Sequence, residues 1–184
     1  MVLLALILGV IYGISLRLQH GRRRKLRSYQ TELKCVTAFY ALFYVAITFL
    51  TRPYSPDRVI VLIPFEAFIE RIRFCITWGV YLHKAIPIVL EVPLISGFLR
   101  GSTTPMEGML LNILLFVPAG ALFVSYRRDK AKIIHAVIFG LLISLATELL
   151  QLATGLGWFD VNDIIANTIG SFIGAFWIYK RIHC

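Results

Sequence analysis

Charged residues are scarce in this sequence, and acidic ones are the scarcest. Of the 184 residues only 16% are charged and 10 are Asp or Glu, whereas 58% are hydrophobic. Soluble domains carry about 25% charged residues, and the mean hydropathy of +0.77 lies far above theirs. These values exclude an ordinary soluble domain and predict a membrane protein.

Cysteine and histidine are also few, which removes several kinds of site from consideration. The three cysteines, Cys35, Cys75 and Cys184, are widely spaced and form no CxxC pair. Neither a disulfide framework nor a thiolate metal site is therefore predicted. No histidine and no nucleophile motif accompanies the acidic residues discussed below.

Basic residues are the only plentiful charge, with 19 Lys and Arg and a formal net charge of +9. They stand in clusters beside apolar runs and form no nucleic-acid-binding motif, so we expect no nucleic-acid partner. We expect them instead to fix the orientation of the chain and to contact the headgroups of membrane lipids.

Five apolar runs approach the roughly 20 residues that a helix needs to cross a bilayer. They predict an all-α, polytopic helical membrane protein with about five transmembrane helices in a single membrane domain, 1–184. The runs are Met1 to Leu18, about Leu33 to Leu50, about Glu107 to Tyr126, Ile133 to Ala153 and Asp163 to Tyr179. Residues 1–50 would form a first helical hairpin with a basic loop, and residues 106–184 a three-helix core.

The basic clusters predict the orientation of these spans. They fall at 17–34, 127–132 and 180–181, and five spans place all three on one side of the membrane. Because loops rich in Lys and Arg stay in the cytoplasm, we expect the N-terminus outside and the C-terminus in the cytoplasm.

Residues 51–105 are too apolar for an ordinary loop and too interrupted for an ordinary span. The run FEAFIERIRFCITWGVYLH has helical spacing of apolar and charged residues, which is typical of an interfacial helix. The following AIPIVLEVPLISGFLR contains two prolines. We interpret both as an interfacial or re-entrant segment at the outer leaflet, although two further spans would satisfy the charge pattern equally well.

Polar residues in the last three spans converge on one depth in the outer half of the membrane. A polar group at this depth is costly and by default indicates a site or a polar lock between helices. The candidate ligand-binding residues are Asn112, Glu148, Gln151, Asp160, Asp163 and Asn167.

These candidates do not all carry the same weight. A carboxylate inside a span, as at Glu148, is difficult to explain by packing, so Glu148 is also the candidate catalytic residue. Asp160 and Asp163 are read either as caps of the last helix or as ligands of a divalent cation. Asn112 and Asn167 are typical of hydrogen bonds between helices.

Three glycines, Gly120, Gly170 and Gly174, have a different predicted role. Small residues four apart allow two helix backbones to approach closely, so we assign these glycines to helix packing. The same pattern is compatible with a homodimer.

The residues also resemble a family. The runs NILLFVPAGALF from Asn112, ELLQ from Glu148 and FDVNDIIANTIGSFIGA from Phe159 are similar to those of the VanZ-like family of bacterial integral membrane proteins. Leu62-Ile63-Pro64-Phe65 is similar to the family's NLIPF segment, with Val61 in place of the asparagine. The family usually carries an arginine shortly before the FD pair, where this chain has 155–158, Gly-Leu-Gly-Trp.

The resemblance implies a multi-pass protein of the bacterial cytoplasmic membrane that contributes to resistance to teicoplanin and related lipoglycopeptides. Our first hypothesis is a non-enzymatic protein that binds the lipid-anchored drug or a cell-wall lipid at the outer leaflet. A second is a membrane enzyme acting on a lipid-linked phosphate, with Glu148 as general base and Asp160 or Asp163 holding a divalent cation. A third is proton-coupled transport or an assembly role. No cofactor is indicated beyond that cation.

The predicted orientation is tested by accessibility of single cysteines introduced at 61, 91, 107 and 160 into a chain without its native cysteines. We expect a membrane-impermeant maleimide to label all four positions in intact cells, since each is assigned to the outer side. Labelling only after the cells are lysed would show that these positions face the cytoplasm, opposite to the predicted orientation.

Overall fold

A computed structural model describes residues 26–52, 54–77, 105–127 and 132–183. The predicted first span and the proline-containing run of the 51–105 segment lie outside the described residues. The second to fifth predicted spans lie within them.

Helices account for nearly all of the described structure. They are α1 (Leu26–Val45), continued by a π-helical turn (Ala46–Leu50), α2 (Glu66–Thr77), α3 (Pro105–Arg127), α4 (Ile133–Thr154) and α5 (Val161–His183). Four segments are long and apolar enough to cross a membrane: Gln30–Leu50, Gly108–Arg127, Ile133–Thr154 and Val161–Ile182. The predicted helical, multi-pass fold is therefore confirmed, with four such segments among the described residues.

The ends of the helices follow from local chemistry. Pro105 occupies the first position of α3, where its fixed φ suits the helix and its missing N–H is not needed. At the end of α4, Gly155 adopts φ 75° and donates its backbone N–H to the Gln151 carbonyl oxygen at 2.9 Å. Asp160 caps α5 because its Oδ1 accepts the backbone N–H of Asn162 at 2.7 Å.

The core is formed where α5 lies against α3, with α4 on its other side. A Cβ added to Gly174 would collide with the carbonyl oxygen of Val117, and one added to Gly170 with that of Ile113. Gly120 has the same relation to the Ser171 carbonyl. The glycines therefore bring the backbones of α3 and α5 into contact within one chain. This contact removes them as an argument for a homodimer, which stays a prediction.

Polar contacts attach α1 to this core. The buried Tyr40 hydroxyl donates to the Leu115 carbonyl oxygen at 3.0 Å. That carbonyl lies in the turn before Pro118, whose ring disturbs the regular hydrogen bonds of the preceding turn. One turn later in α1, the Tyr44 hydroxyl and Thr147 Oγ1 are 2.7 Å apart. The Tyr40 and Tyr44 hydroxyls are therefore both hydrogen-bonded to neighbouring helices. Without these partners they would face lipid, which offers no hydrogen bonds.

A pair of very short parallel strands was not predicted from the sequence. In β1 (Ile60–Val61) and β2 (Phe159–Asp160), Ile60 is opposite Phe159 and Val61 is opposite Asp160. The pairing is extended by the bond from Ser55 N to Gly155 O at 2.8 Å. The chain after α1 therefore runs along the α4–α5 connection. We call this end of the bundle, where α4 stops and α5 begins, the polar end.

We expect Gly174→Ala to lower the free energy of unfolding by roughly 1–3 kcal/mol, because α3 and α5 must move apart to admit the methyl group. The matched control is Gly108→Ala, whose added Cβ would have nothing within 4 Å. It should be neutral or stabilising, since Ala favours a helix over Gly by about 1 kcal/mol. Denaturation in detergent followed by circular dichroism measures both, and equal effects would contradict this account of the packing.

Candidate functional site

Six side chains meet at the polar end, and we call them the polar cluster. They come from the end of the π-helical turn and from α3, α4 and α5, and they are Arg52, Asn112, Glu148, Gln151, Asp163 and Asn167. Five of the six candidate ligand-binding residues from the sequence are members. The sixth, Asp160, lies beside the cluster in β2.

Glu148 is the most deeply buried acid of the cluster, with 2% of its surface exposed. Its Oε2 accepts the backbone N–H of Asp160 at 2.8 Å. Burying a carboxylate is costly unless it is hydrogen-bonded or paired, so this bond fixes the position of β2 over the end of α4. The bond is available because Asp160 is extended in β2 and directs its N–H toward α4.

Asp163 lies near Glu148 and joins three parts of the chain. Arg52 Nη2 is 3.7 Å from Asp163 Oδ2, with 38% and 19% of the two side chains exposed. The Asn112 side chain is hydrogen-bonded to the same carboxylate. The polar cluster thus contains two neighbouring acids and one guanidinium that faces both of them.

Although this chain has no arginine shortly before Phe159, Arg52 supplies a cation beside the carboxylates. A Cβ added to Gly157 would lie 2.9 Å from Arg52 Nη1, and one added to Gly155 would collide with the guanidinium of Arg58. Two arginines from the segment after α1 therefore cover the α4–α5 connection, and the glycines leave room for them. The carboxylates have a cationic partner, supplied from a distant part of the sequence.

Two buried amides of the cluster are only half satisfied. Gln151 Nε2 donates to the Thr48 carbonyl oxygen at 3.2 Å, and Asn167 Nδ2 donates to Ser144 Oγ at 2.8 Å. Within the described part of the chain, Gln151 Oε1 and Asn167 Oδ1 have no hydrogen-bond partner, although the side chains are 1% and 4% exposed. Such atoms are rare in proteins and each requires an explanation.

The Asp160 side chain forms its hydrogen bonds within its own segment of the chain, at the start of α5. Its Oδ1 accepts both the backbone and the side-chain N–H of Asn162, at 2.7 and 2.9 Å. Across the described ranges, no group of three or more His, Cys, Asp and Glu residues is arranged to hold a metal ion. The divalent cation assigned to Asp160 and Asp163 thus remains a prediction.

The segment similar to NLIPF is attached to the start of α5. The Phe65 backbone N–H donates to Asn162 Oδ1 at 2.8 Å, and Phe65 has φ 59°, which non-glycine residues seldom adopt. Exposed apolar side chains surround this attachment and continue along one face of α2. We call them the apolar stripe, and they are Leu62, Ile63, Phe65, Ile69, Ile72 and Ile76.

Three contributors to the site were missed by sequence reasoning. Arg52 could have been noticed, because it is a basic residue on the predicted outer side of the membrane, where the basic clusters are absent. It also stands directly between an apolar run and a proline. Ser144 precedes Glu148 by four residues and so shares its helix face, but this spacing does not show that Ser144 bonds to Asn167. Thr48 takes part through its carbonyl oxygen in a π-helical turn, for which the side-chain pattern gives no signal.

Comparison with known proteins identifies the family. The VanZ/LLP1 family matches residues 37–183, which include the whole polar cluster. The chain belongs to the VanZ/LLP1 family. Protein VanZ of Enterococcus faecium is 32% identical over 73 residues, covering 40% of this chain and 45% of that protein. The match thus spans less than half of that relative's length, and no solved structure matches this family member.

A double-mutant cycle tests the contact between Arg52 and Asp163. We expect Arg52→Gln and Asp163→Asn to be coupled by about 0.2–1 kcal/mol in the free energy of unfolding, because the arginine is more than one third exposed. The control cycle combines Asp163→Asn with Arg73→Gln, a cation exposed on α2. It should be additive, and an equal coupling in both cycles would show that net charge, not contact, is responsible.

Proposed function

We propose that this protein lowers bacterial susceptibility to lipoglycopeptides of the teicoplanin type. It does so without catalysis, by engaging the lipid-anchored drug or a cell-envelope lipid at the outer leaflet of the cytoplasmic membrane. Membership of the VanZ/LLP1 family and the similarity to Protein VanZ support the resistance role. The basic clusters support the placement of the polar end at the outer leaflet.

The observation that carries the proposal is the attachment of the apolar stripe to the polar cluster. Phe65 belongs to the stripe, and its N–H is bonded to Asn162 next to Asp163. Val61, which precedes the stripe, pairs with Asp160, whose N–H is bonded to Glu148. A polar site and an exposed apolar surface are thus held side by side, which suits a molecule with both an acyl chain and a polar group.

The stripe has the spacing of an amphipathic helix. Ile69, Ile72 and Ile76 follow one another by three and four residues in α2, so they share a face. Phe65 immediately precedes the helix, and its carbonyl oxygen accepts the Ile69 backbone N–H at 3.0 Å. Ile76 is 74% exposed and Leu62 is 64% exposed, although neither lies in one of the four apolar segments. An apolar face outside the spans finds a favourable environment at the surface of the bilayer. The acyl chain of an amphiphile would therefore remain among lipid tails while its polar part reaches the cluster.

Expression in a susceptible Gram-positive host tests the proposed function. We expect the wild-type chain to raise the minimal inhibitory concentration of teicoplanin several-fold, and to leave that of a glycopeptide without an acyl chain unchanged. Glu148→Gln should lose the effect because it removes the buried carboxyl group with little change of shape. Glu70→Gln makes the same chemical change on an exposed face of α2 and should keep it.

Protein amount is the necessary control for these variants. Each is quantified in isolated membranes and checked for a single peak by size exclusion in detergent. Unchanged teicoplanin susceptibility with well-folded wild-type protein in the membrane would refute the proposed function. Equal activity of wild type and Glu148→Gln would show that resistance does not depend on the polar cluster.

A further inference from the structure

The orientation of the Gln151 amide shows which kind of group the polar cluster lacks. A carbonyl oxygen can only accept, so the nitrogen of the amide must face Thr48 O and the oxygen must face away from it. Gln151 Oε1 is consequently an acceptor without a donor, in a side chain that is 1% exposed. Leaving such an atom unpaired costs about 1–3 kcal/mol. A hydrogen-bond donor that is not part of the described chain would remove this cost.

The surroundings of that oxygen are the polar cluster itself. Gln151 follows Glu148 by less than one turn on the buried face of α4. The space beside Gly157 is shared by the Gln151 side chain and Arg52, at 3.2 and 2.9 Å from an added Cβ. The other end of the same guanidinium approaches Asp163. Gln151 therefore lies beside Arg52, the cation that approaches Asp163.

Asn167 repeats the arrangement one turn deeper. It follows Asp163 by four residues on α5, and its partner Ser144 precedes Glu148 by four residues on α4, so its amide lies in the same seam between the helices. Its Oδ1 also lacks a partner. The cluster thus contains two acidic side chains, the unpaired Gln151 acceptor and a second buried amide, while its cation, Arg52, is partly directed to solvent.

We propose that the polar cluster binds a primary ammonium group, an assignment that rests on the proposed function and specifies the polar part of its ligand. A primary ammonium carries one positive charge and three N–H donors, which matches a buried, acceptor-rich, acidic site. An ionised phosphate or carboxylate offers only acceptors and would leave Gln151 Oε1 without a donor. A quaternary ammonium has the charge but no N–H to offer to Gln151. The group would come from an ethanolamine-type lipid headgroup or from a soluble amine.

Two pairs of probes test the assignment with the purified full-length chain. The lipid pair is phosphatidylethanolamine and phosphatidylcholine with identical acyl chains, which differ only in the N–H groups. Lipids retained by the protein are counted by native mass spectrometry from mixed nanodiscs. The soluble pair is ethylammonium and tetramethylammonium chloride at equal ionic strength, compared by the shift of the melting temperature in detergent.

We expect a several-fold preference for phosphatidylethanolamine, which would identify a lipid headgroup as the source. Stabilisation by ethylammonium but not by tetramethylammonium, without a lipid preference, would identify a soluble amine. Glu148→Gln and Asp163→Asn should each abolish the preference, because each removes an acidic partner of the ammonium group. Glu70→Gln should leave it unchanged.

Equal behaviour of both members in both pairs would overturn the assignment and leave water as the donor to Gln151. Preferential retention of the anionic phosphatidylglycerol would overturn it as well. These comparisons use the wild-type chain, so they do not depend on the folding of a variant. An ammonium preference without any change in teicoplanin susceptibility would refute the proposed function alone. Resistance without an ammonium preference would refute only the present inference.

Discussion

The bond between the Glu148 carboxylate and the Asp160 backbone N–H is the contact on which the polar end depends. A carboxylate 2% exposed inside an apolar helix has few ways to be satisfied. The N–H that serves it is available because Asp160 is extended, and β2 is extended because β1 pairs with it. The buried charge, the strand pair and the cap of α5 therefore form one interdependent unit in which each part fixes the next.

Close packing of the helix backbones has a direct effect on this unit. Gly170 and Gly174 allow α5 to touch the carbonyl oxygens of α3. The same approach brings Asn112 of α3 within hydrogen-bonding distance of Asp163 of α5. A larger residue at either glycine would separate the helices by more than a short amide can bridge. The glycines thus contribute to the geometry of the cluster without touching it.

The convergence of polar residues was accessible from the sequence because it depends only on helical periodicity and on alternating span direction. Gly140, Ser144, Glu148 and Gln151 follow one another at helical spacing in the fourth span, and all four are buried. The helices of the second to fifth predicted spans are confirmed for the same reason, since apolar runs of this length have few alternative structures in a bilayer.

The remaining features depend on contacts between distant parts of the chain. Two residues of strand carry no periodicity, and a π-helical turn is set by its neighbours rather than by its own side chains. Arg52 could be recognised as unusual, but nothing in the sequence shows that it would face Asp163 in place of an arginine before Phe159. The contact between Arg52 and Asp163 is therefore visible only in three dimensions.

The separation of twelve positions between Glu148 and its donor, Asp160, also bears on biogenesis. During synthesis α4 leaves the ribosome before Asp160 and α5 exist, so the acid reaches the membrane ahead of the group that stabilises it. Arg52 has by then already been made. The final helix consequently acts as the closing step of assembly, and a chain truncated before it would present an unshielded acid to lipid and to the proteases that survey the membrane.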